Sequence, residues 1–368
     1  MDQSPQLAPA IVPVDVDRSV SVDQDAVPLL PNETEPEKNF SIRDSVNEVI
    51  DHFQGLLAGE MVAGLSTGFE ELDDLTTGLK PGEVFVIASQ PGVGKTSLML
   101  RLVEHICINQ KVPTLVFSGQ TKAFETTQRL MFSRAKFALH EFYRGRCPVR
   151  EDLVRIQQAA VEIARAGLFV DDRASLEIDV LRERSRRYRG DKEIGFIAID
   201  DVRLLRSNSV RAERCRERES AEVSAGIKAL ASELGVPILV LADLHRRPDC
   251  GLEGGSRRIS DISDCRDSGA IGQNADLVGW LYRMNYDAEH AEEKEANAGR
   301  AELVLVKNRM GKTGWVPLLF IEDIMRFETC PPAPLCSNLC EADEIREAWE
   351  SHRGEEVDER EGSISAEC

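Results

Sequence analysis

The first sustained order in the chain is an apolar stripe. Ile42, Val46, Val49, Ile50, Phe53, Leu56 and Leu57 recur at spacings of three and four, which places them on one face of a helix ending near Gly59. Upstream, residues 1–40 mix Pro, Asp, Glu and Ser without a period and are expected to be disordered. Beyond Gly64, short apolar runs alternate with helical patterns. Strands are predicted at Val84–Ala88, Thr114–Ser118, Leu168–Asp171, Gly195–Asp200, Val236–Ala242, Asp276–Tyr282 and Glu302–Lys307, the last turning through Gly311–Gly314 into Trp315–Phe320. Helices are predicted at Glu70–Leu75, from Lys95 to about Asn109, and at Phe124–Phe142, Glu151–Arg165, Ile178–Tyr188 and Glu219–Leu234. This alternation predicts an α/β fold, a mostly parallel sheet with helices on both faces, and such sheets place phosphate sites at the carboxyl ends of their strands.

Length and charge refine that picture. The 368 residues fit one large domain with tails, and the formal charge of −19 is concentrated at the ends. Residues 1–40 carry −6 and residues 328–368 carry −9, leaving −4 for the middle, so net charge does not exclude a nucleic-acid partner and local arginine clusters decide the question. No apolar run approaches the roughly 18 residues needed to cross a bilayer. The N-terminus has acids where a signal peptide would carry bases. A cytoplasmic protein with no membrane contact is expected. Nine cysteines without paired spacing fit reduced thiols. Cys330, Cys336 and Cys340 stand in no standard zinc pattern, and residues 328–368 read as an acidic tail.

Candidate chemistry centres on VFVIASQPGVGKTS, Val84 to Ser97. A buried strand runs into a turn whose Ser89, Gln90, Pro91, Gly92, Val93 and Gly94 can present inward-pointing N–H groups, and a helix follows from Lys95. In such a cradle the Lys95 ammonium reaches β and γ phosphates, the Thr96 hydroxyl takes a Mg²⁺ position, and Ser97 continues the phosphate-facing turn. Ser89 stands where the pattern usually has its first glycine. About a hundred residues on, Phe196-Ile197-Ala198-Ile199-Asp200 ends an apolar strand in a carboxylate able to hold Mg²⁺, with Asp201 beside it.

With these two halves in place, Gly64 to Phe327 resembles the motor domain of the DnaB-type replicative DNA helicases, a RecA-like fold that works as a hexameric ring. The resemblance rests on GLSTGFEELDDLTTGLKPGE, PGVGKTS, Val116-Phe117-Ser118, FIAID, the specific segment SDCRDSGAIGQNADL followed by Tyr282-Arg283, and Lys307-Asn308-Arg309-Met310-Gly311, all in the family's order. It implies ATP and Mg²⁺ as cofactors, with Lys95, Thr96 and Asp200 binding them. It further implies Arg309 as an arginine finger for a neighbour's site with Lys307 beside it, and Arg266, Asp267 and Gly269 on a channel loop that grips single-stranded DNA. Single-stranded and forked DNA, further copies of the chain, and a replication loader or primase are the partners it implies. The helix from Ile42 to Leu57 takes the place of the family's linker helix, which packs on the adjacent subunit. Residues 1–40 have no counterpart to the family's N-terminal domain.

Two positions depart from the family. Its catalytic glutamate is replaced by Gln120, which cannot accept a proton but can orient a water molecule, a loss worth roughly 10² to 10⁴ in rate. The γ-phosphate-sensing glutamine at the end of the fifth strand is replaced by Asp243. Three expectations follow: Asp243 takes over as the water-activating carboxylate, Glu125 serves as a displaced base, or hydrolysis is deficient. A recombination ATPase resembling RadA and a nucleotide-binding adaptor are the other functions these residues allow.

Overall fold

The computed structural model describes residues 64–330 except 146, 175, 208–215, 245–251, 254–255, 258–268 and 288–297. Before them it describes Ile42, Val46, Val49, Ile50 and Gly55, all helical. Residues 1–61 and 62–368 are two separate compact units. In the first, Ile42, Val46, Val49 and Ile50 of the predicted stripe are helical and exposed, and Phe53, Leu56 and Leu57 lie outside the described residues.

The second unit is built on Val84–Ser89 (β1), every residue of which is buried. Successive side chains of a strand point to opposite faces. Phe85 and Ile87 accordingly join a core with Leu98, Met99 and Leu102 of the helix Lys95–Glu104 (α2), and with Leu72 of Glu70–Thr76 (α1). Val84, Val86 and Ala88 join the opposite core, with Leu181 of Ile178–Lys192 (α6) and Ile227 and Leu230 of Arg216–Leu234 (α7). Burial on both faces accounts for the unbroken apolar run in the sequence.

Among the described residues the main sheet has nine strands. From one edge they are Arg326–Thr329 (β9), Gly314–Ile321 (β8), Arg300–Asn308 (β7), Leu277–Arg283 (β6), β1, Ile238–Asp243 (β5), Phe196–Asp200 (β4), Thr114–Ser118 (β2) and Leu168–Asp171 (β3). The six from β6 to β3 are parallel, and β7, β8 and β9 extend the sheet antiparallel. Register brings Ser89 level with Asp243, and Ser118 level with Asp200, so four strand ends meet at one rim. Among the described residues, no helix is long and apolar enough to cross a membrane.

Two predictions are corrected. The helix predicted over Phe124–Phe142 is two helices, Ala123–Arg134 (α3) and Leu139–Tyr143 (α4). Lys136 between them adopts a left-handed φ of +52°, and Phe137 folds back to within 6.0 Å of Phe132, ring centre to ring centre. Burial of that aromatic pair breaks a helix that local propensity would continue. The domain also runs past Phe327, because Glu328 and Thr329 complete β9 and Glu328 is buried. Residues 331–368, expected to form the acidic tail, lie outside the described residues.

Candidate nucleotide site

The loop after β1 turns on two glycines in the left-handed region, Gly92 at φ +84° and Gly94 at φ +114°. A Cβ on Gly92 would lie 2.7 Å from the Tyr286 hydroxyl, and one on Gly94 would lie 3.1 Å from the Phe327 ring. The positive φ strains any side chain at either position, and the neighbouring rings would also have to give way. The Tyr286 hydroxyl also donates to the Pro91 carbonyl at 3.1 Å, which pins the outer side of the loop. Gly94 offers no side-chain cap to α2. The first N–H groups of that helix have no intrahelical acceptors, and together with the helix dipole they form an anion-binding end.

Lys95 is buried and turned back along β1. Its ammonium donates to the Ser89 carbonyl and hydroxyl at 3.3 Å and to the Gln90 carbonyl at 3.4 Å, and pairs with Asp243 Oδ1 at 2.5 Å. Beside it the Thr96 hydroxyl donates to Asp200 Oδ2 at 2.8 Å. Burial pushes the Asp200 carboxyl above the usual carboxylate range, and adjacent Asp201 adds to this, against the opposing effects of the Thr96 hydrogen bond and of Lys95 and Arg129. A hydroxyl and a desolvated carboxylate in contact are an oxygen donor pair suited to Mg²⁺, so Thr96 and Asp200 fit that ion and the cradle fits a nucleoside phosphate.

Two arginines join the site that the sequence reading did not place there. Arg203 pairs with Asp201 Oδ2 at 2.8 Å and also with Asp243 Oδ2. Arg129 of α3 is half-buried and near enough for its charge to be felt at Asp200. An aspartate closing an apolar strand is the signal that a cation must stand opposite, but nothing local to Asp243 identifies Arg203, forty positions earlier. Alongside Ser97, a cavity of about 270 Å³ is lined by Leu100, Arg129, Phe132, Tyr143 and Met325, among others.

Gln120 follows β2 in an exposed bend, and Glu125 is exposed in the first turn of α3. Lys307 and Arg309 lie elsewhere. Because β7 runs antiparallel to β6, its end is level with the start of that strand, and the Arg309 amide donates to the Asp276 carbonyl at 3.0 Å, at the root of β1. Six residues of strand separate that edge from the cradle of the same chain, about 20 Å. Lys307 donates to the carbonyls of Gly272 and Gln273, both at 3.0 Å, at the end of Gly269–Asn274 (α8). Burial holds its pKa below the usual lysine value. Arg309 pairs with Asp276 Oδ1 at 3.2 Å while its side chain remains 66% exposed. Arg266 and Asp267 lie outside the described residues, and Gly269 opens α8.

The fold has counterparts among known proteins. The profile of the DnaB-like helicase C terminal domain matches residues 64–329. Replicative DNA helicase DnaB of Geobacillus stearothermophilus is 30% identical over 289 residues, 78% of this chain and 61% of that protein. The Haemophilus influenzae protein of the same name is 32% identical over 319 residues, 85% of this chain and 64% of that one. The chain thus spans about three fifths of the length of these relatives. Two solved structures share the fold. One, described as an ATPase domain, superposes with a TM-score of 0.68 at 24% identity, covering 79% of this chain and 99% of that one. The other, "The Structure Of A DnaB-Like Replicative Helicase And Its Interactions With Primase", gives 0.65 at 23% identity, covering 76% of this chain and 65% of that one. With the profile match extending from the first described loop to the last strand of the sheet, the chain belongs to the DnaB-like helicase C-terminal domain family.

Proposed function

We propose that this chain is the ATP-driven motor of a ring-shaped replicative DNA helicase. The observation that carries the reading is a division across the sheet. Lys95, Thr96 and Asp200 converge at one rim, while Arg309, the basic group expected to complete such a site, stands at the opposite rim. A site so divided is completed by a neighbouring copy, head to tail, and closure of that contact gives a ring. The exposed stripe of Ile42, Val46, Val49 and Ile50 supports a linker helix that docks on the next subunit.

In this reading the cradle from Ser89 to Ser97 binds ATP, with Lys95 on the β and γ phosphates and the base beside the aromatic cavity next to Ser97. Mg²⁺ held by Thr96 and Asp200 would neutralise charge on the phosphate oxygens. Gln120 orients the attacking water without taking its proton. The neighbour's Arg309 and Lys307 neutralise charge on the transferring phosphoryl group. Arg266, Asp267 and Gly269 track the backbone of single-stranded DNA in the channel, and the ring unwinds forked DNA in the cytoplasm, in contact with a primase or loader. An adaptor that binds ATP and barely turns it over is the second reading. It is favoured by the missing catalytic glutamate and by the commitment of both Asp243 oxygens to cations, so that water activated by Asp243 would first displace Lys95 or Arg203.

Steady-state ATPase with and without single-stranded DNA, alongside strand displacement on a fork, tests the motor. DNA-stimulated hydrolysis abolished by Lys95→Ala is expected, at a rate roughly 10² to 10⁴ below glutamate-bearing relatives. Tight nucleotide binding with neither stimulation nor displacement would establish the adaptor instead.

A further inference from the structure

The loop between β2 and α3 is held from the inside by hydroxyl groups. Ser118, which closes β2, and Thr126, in the first turn of α3, are both buried. The Ser118 hydroxyl donates to the Thr121 carbonyl at 3.0 Å and lies 2.6 Å from the Thr121 hydroxyl. Thr126 Oγ1 lies 3.2 Å from Thr121 Oγ1 and 3.5 Å from Ser118 Oγ. Each hydroxyl has one proton, and a carbonyl can only accept. The Ser118 proton is therefore committed to the carbonyl, the short contact is donated by Thr121, and Thr126 donates into the pair. Two further bonds tie the loop to its surroundings. The Gly119 amide donates to the Asp200 carbonyl at 3.0 Å, and the Ala123 amide donates to Asp172 Oδ2, just beyond β3, at 3.1 Å. Between these anchors Gln120 is exposed. Asp200 thus sets two things at once: its carboxylate stands beside the Thr96 hydroxyl, and its carbonyl holds the root of the loop that carries Gln120.

We propose that Thr121 is the positioning residue for Gln120: its hydroxyl closes the loop onto Ser118 and Thr126, so that the glutamine amide meets the attacking water from a backbone fixed against the Asp200 strand. The inference rests on the reading of Gln120 as the group that orients water, and deepens it. A side chain that takes no proton contributes through geometry alone, and a displacement of about 1 Å can cost about a hundredfold in rate. Such a residue depends on the rigidity of the backbone beneath it. Thr121 supplies that rigidity from within the loop, since its own proton goes to Ser118 and none remains for the substrate.

The test is a double-mutant cycle on DNA-stimulated ATP turnover by the full chain, with amide hydrogen exchange of residues 119–122 followed in parallel without nucleotide and the sheet strands as internal reference. Thr121→Val keeps the shape of the side chain and removes its hydroxyl. It is expected to lower kcat by about tenfold or more with KM within about twofold, and to speed exchange in the loop severalfold against unchanged strands. Thr121→Ser, which keeps the hydroxyl, restores both. Gln120→Ala is expected to lower kcat at least as far, and the Gln120→Ala/Thr121→Val pair no further than Gln120→Ala alone, because a loop without its glutamine has nothing left to position. Losses that multiply in the pair, or unchanged exchange in Thr121→Val, would overturn the positioning role. Full turnover in Gln120→Ala would instead remove the reading of Gln120 beneath it, and absence of hydrolysis by the unaltered chain would remove both.

Discussion

Burial raises the pKa of Asp200 in the folded chain, with Asp201 adding to the shift. A raised folded-state pKa means that the folded state binds more protons than the unfolded one, so this group's contribution falls as pH rises through the window between the two values. At neutral pH the nucleotide-free chain bears the cost of a desolvated carboxylate. Asp200→Asn, which keeps an acceptor for the Thr96 hydroxyl, is therefore expected to raise the melting temperature without nucleotide by about 2–4 °C. The same change should remove Mg²⁺-dependent nucleotide binding. Differential scanning fluorimetry with and without Mg²⁺-ATP checks both halves, and a lowered melting temperature in the free chain would reverse the sign of the argument. Lys95, Thr96 and Asp200 were legible in the sequence because each is defined by its immediate neighbours, a glycine turn or the end of an apolar run. Arg203 was not, since its partner Asp243 meets it only through the order of β4 and β5 in the sheet.

The elements that carry these residues are held by charges inside the core. Glu104, at the far end of α2 from the cradle, accepts from Arg326 of β9 at 2.6 and 3.1 Å and from Arg134 of α3 at 2.7 Å. Arg326 also donates to Glu328 at 2.6 Å, and Arg134 pairs at 2.5 Å with Glu162 of Arg150–Arg165 (α5). Burial works against the charge of Glu104, yet the hydrogen bonds and field of Arg326, with Arg101 and Arg134, hold its pKa below the usual carboxylate value. Glu104→Ala would strand buried guanidinium groups and is expected to cost about 3–5 kcal/mol, measured as a lower midpoint in urea. A change within about 1 kcal/mol would mean that water compensates the network. Apolar spacing located α2 and the sheet strands correctly, because burial on one or both faces writes itself into the pattern. It missed the end of the domain at β9, where Arg326 and Glu328 are buried and charged, and it missed the break at Lys136, which depends on where Phe137 packs.

At the scale of the whole molecule, the proposed ring sets the cradle at one rim of a chain's sheet against Arg309 at the opposite rim of the next copy's sheet. Two variants that fail for opposite reasons should then complement one another. Arg309→Ala is expected to lower DNA-stimulated turnover by roughly 10³ to 10⁵ while leaving nucleotide affinity intact, and Lys95→Ala removes binding in its own cradle. Mixed before assembly, the two should regain part of the activity, since an intact cradle from one can meet an intact Arg309 from the other. Turnover that stays flat across mixing ratios would mean that no arginine crosses between copies.

The seat of Arg309 has one more consequence. Asp276 accepts the Val84 amide at 2.9 Å and the Lys228 ammonium at 2.6 Å besides its contact with Arg309. Were the guanidinium to swing outward, the aspartate would keep two of its three partners and no ion would be orphaned in the interior. In the proposed ring, its departure would then forfeit one partly exposed ion pair rather than unseat the root of β1.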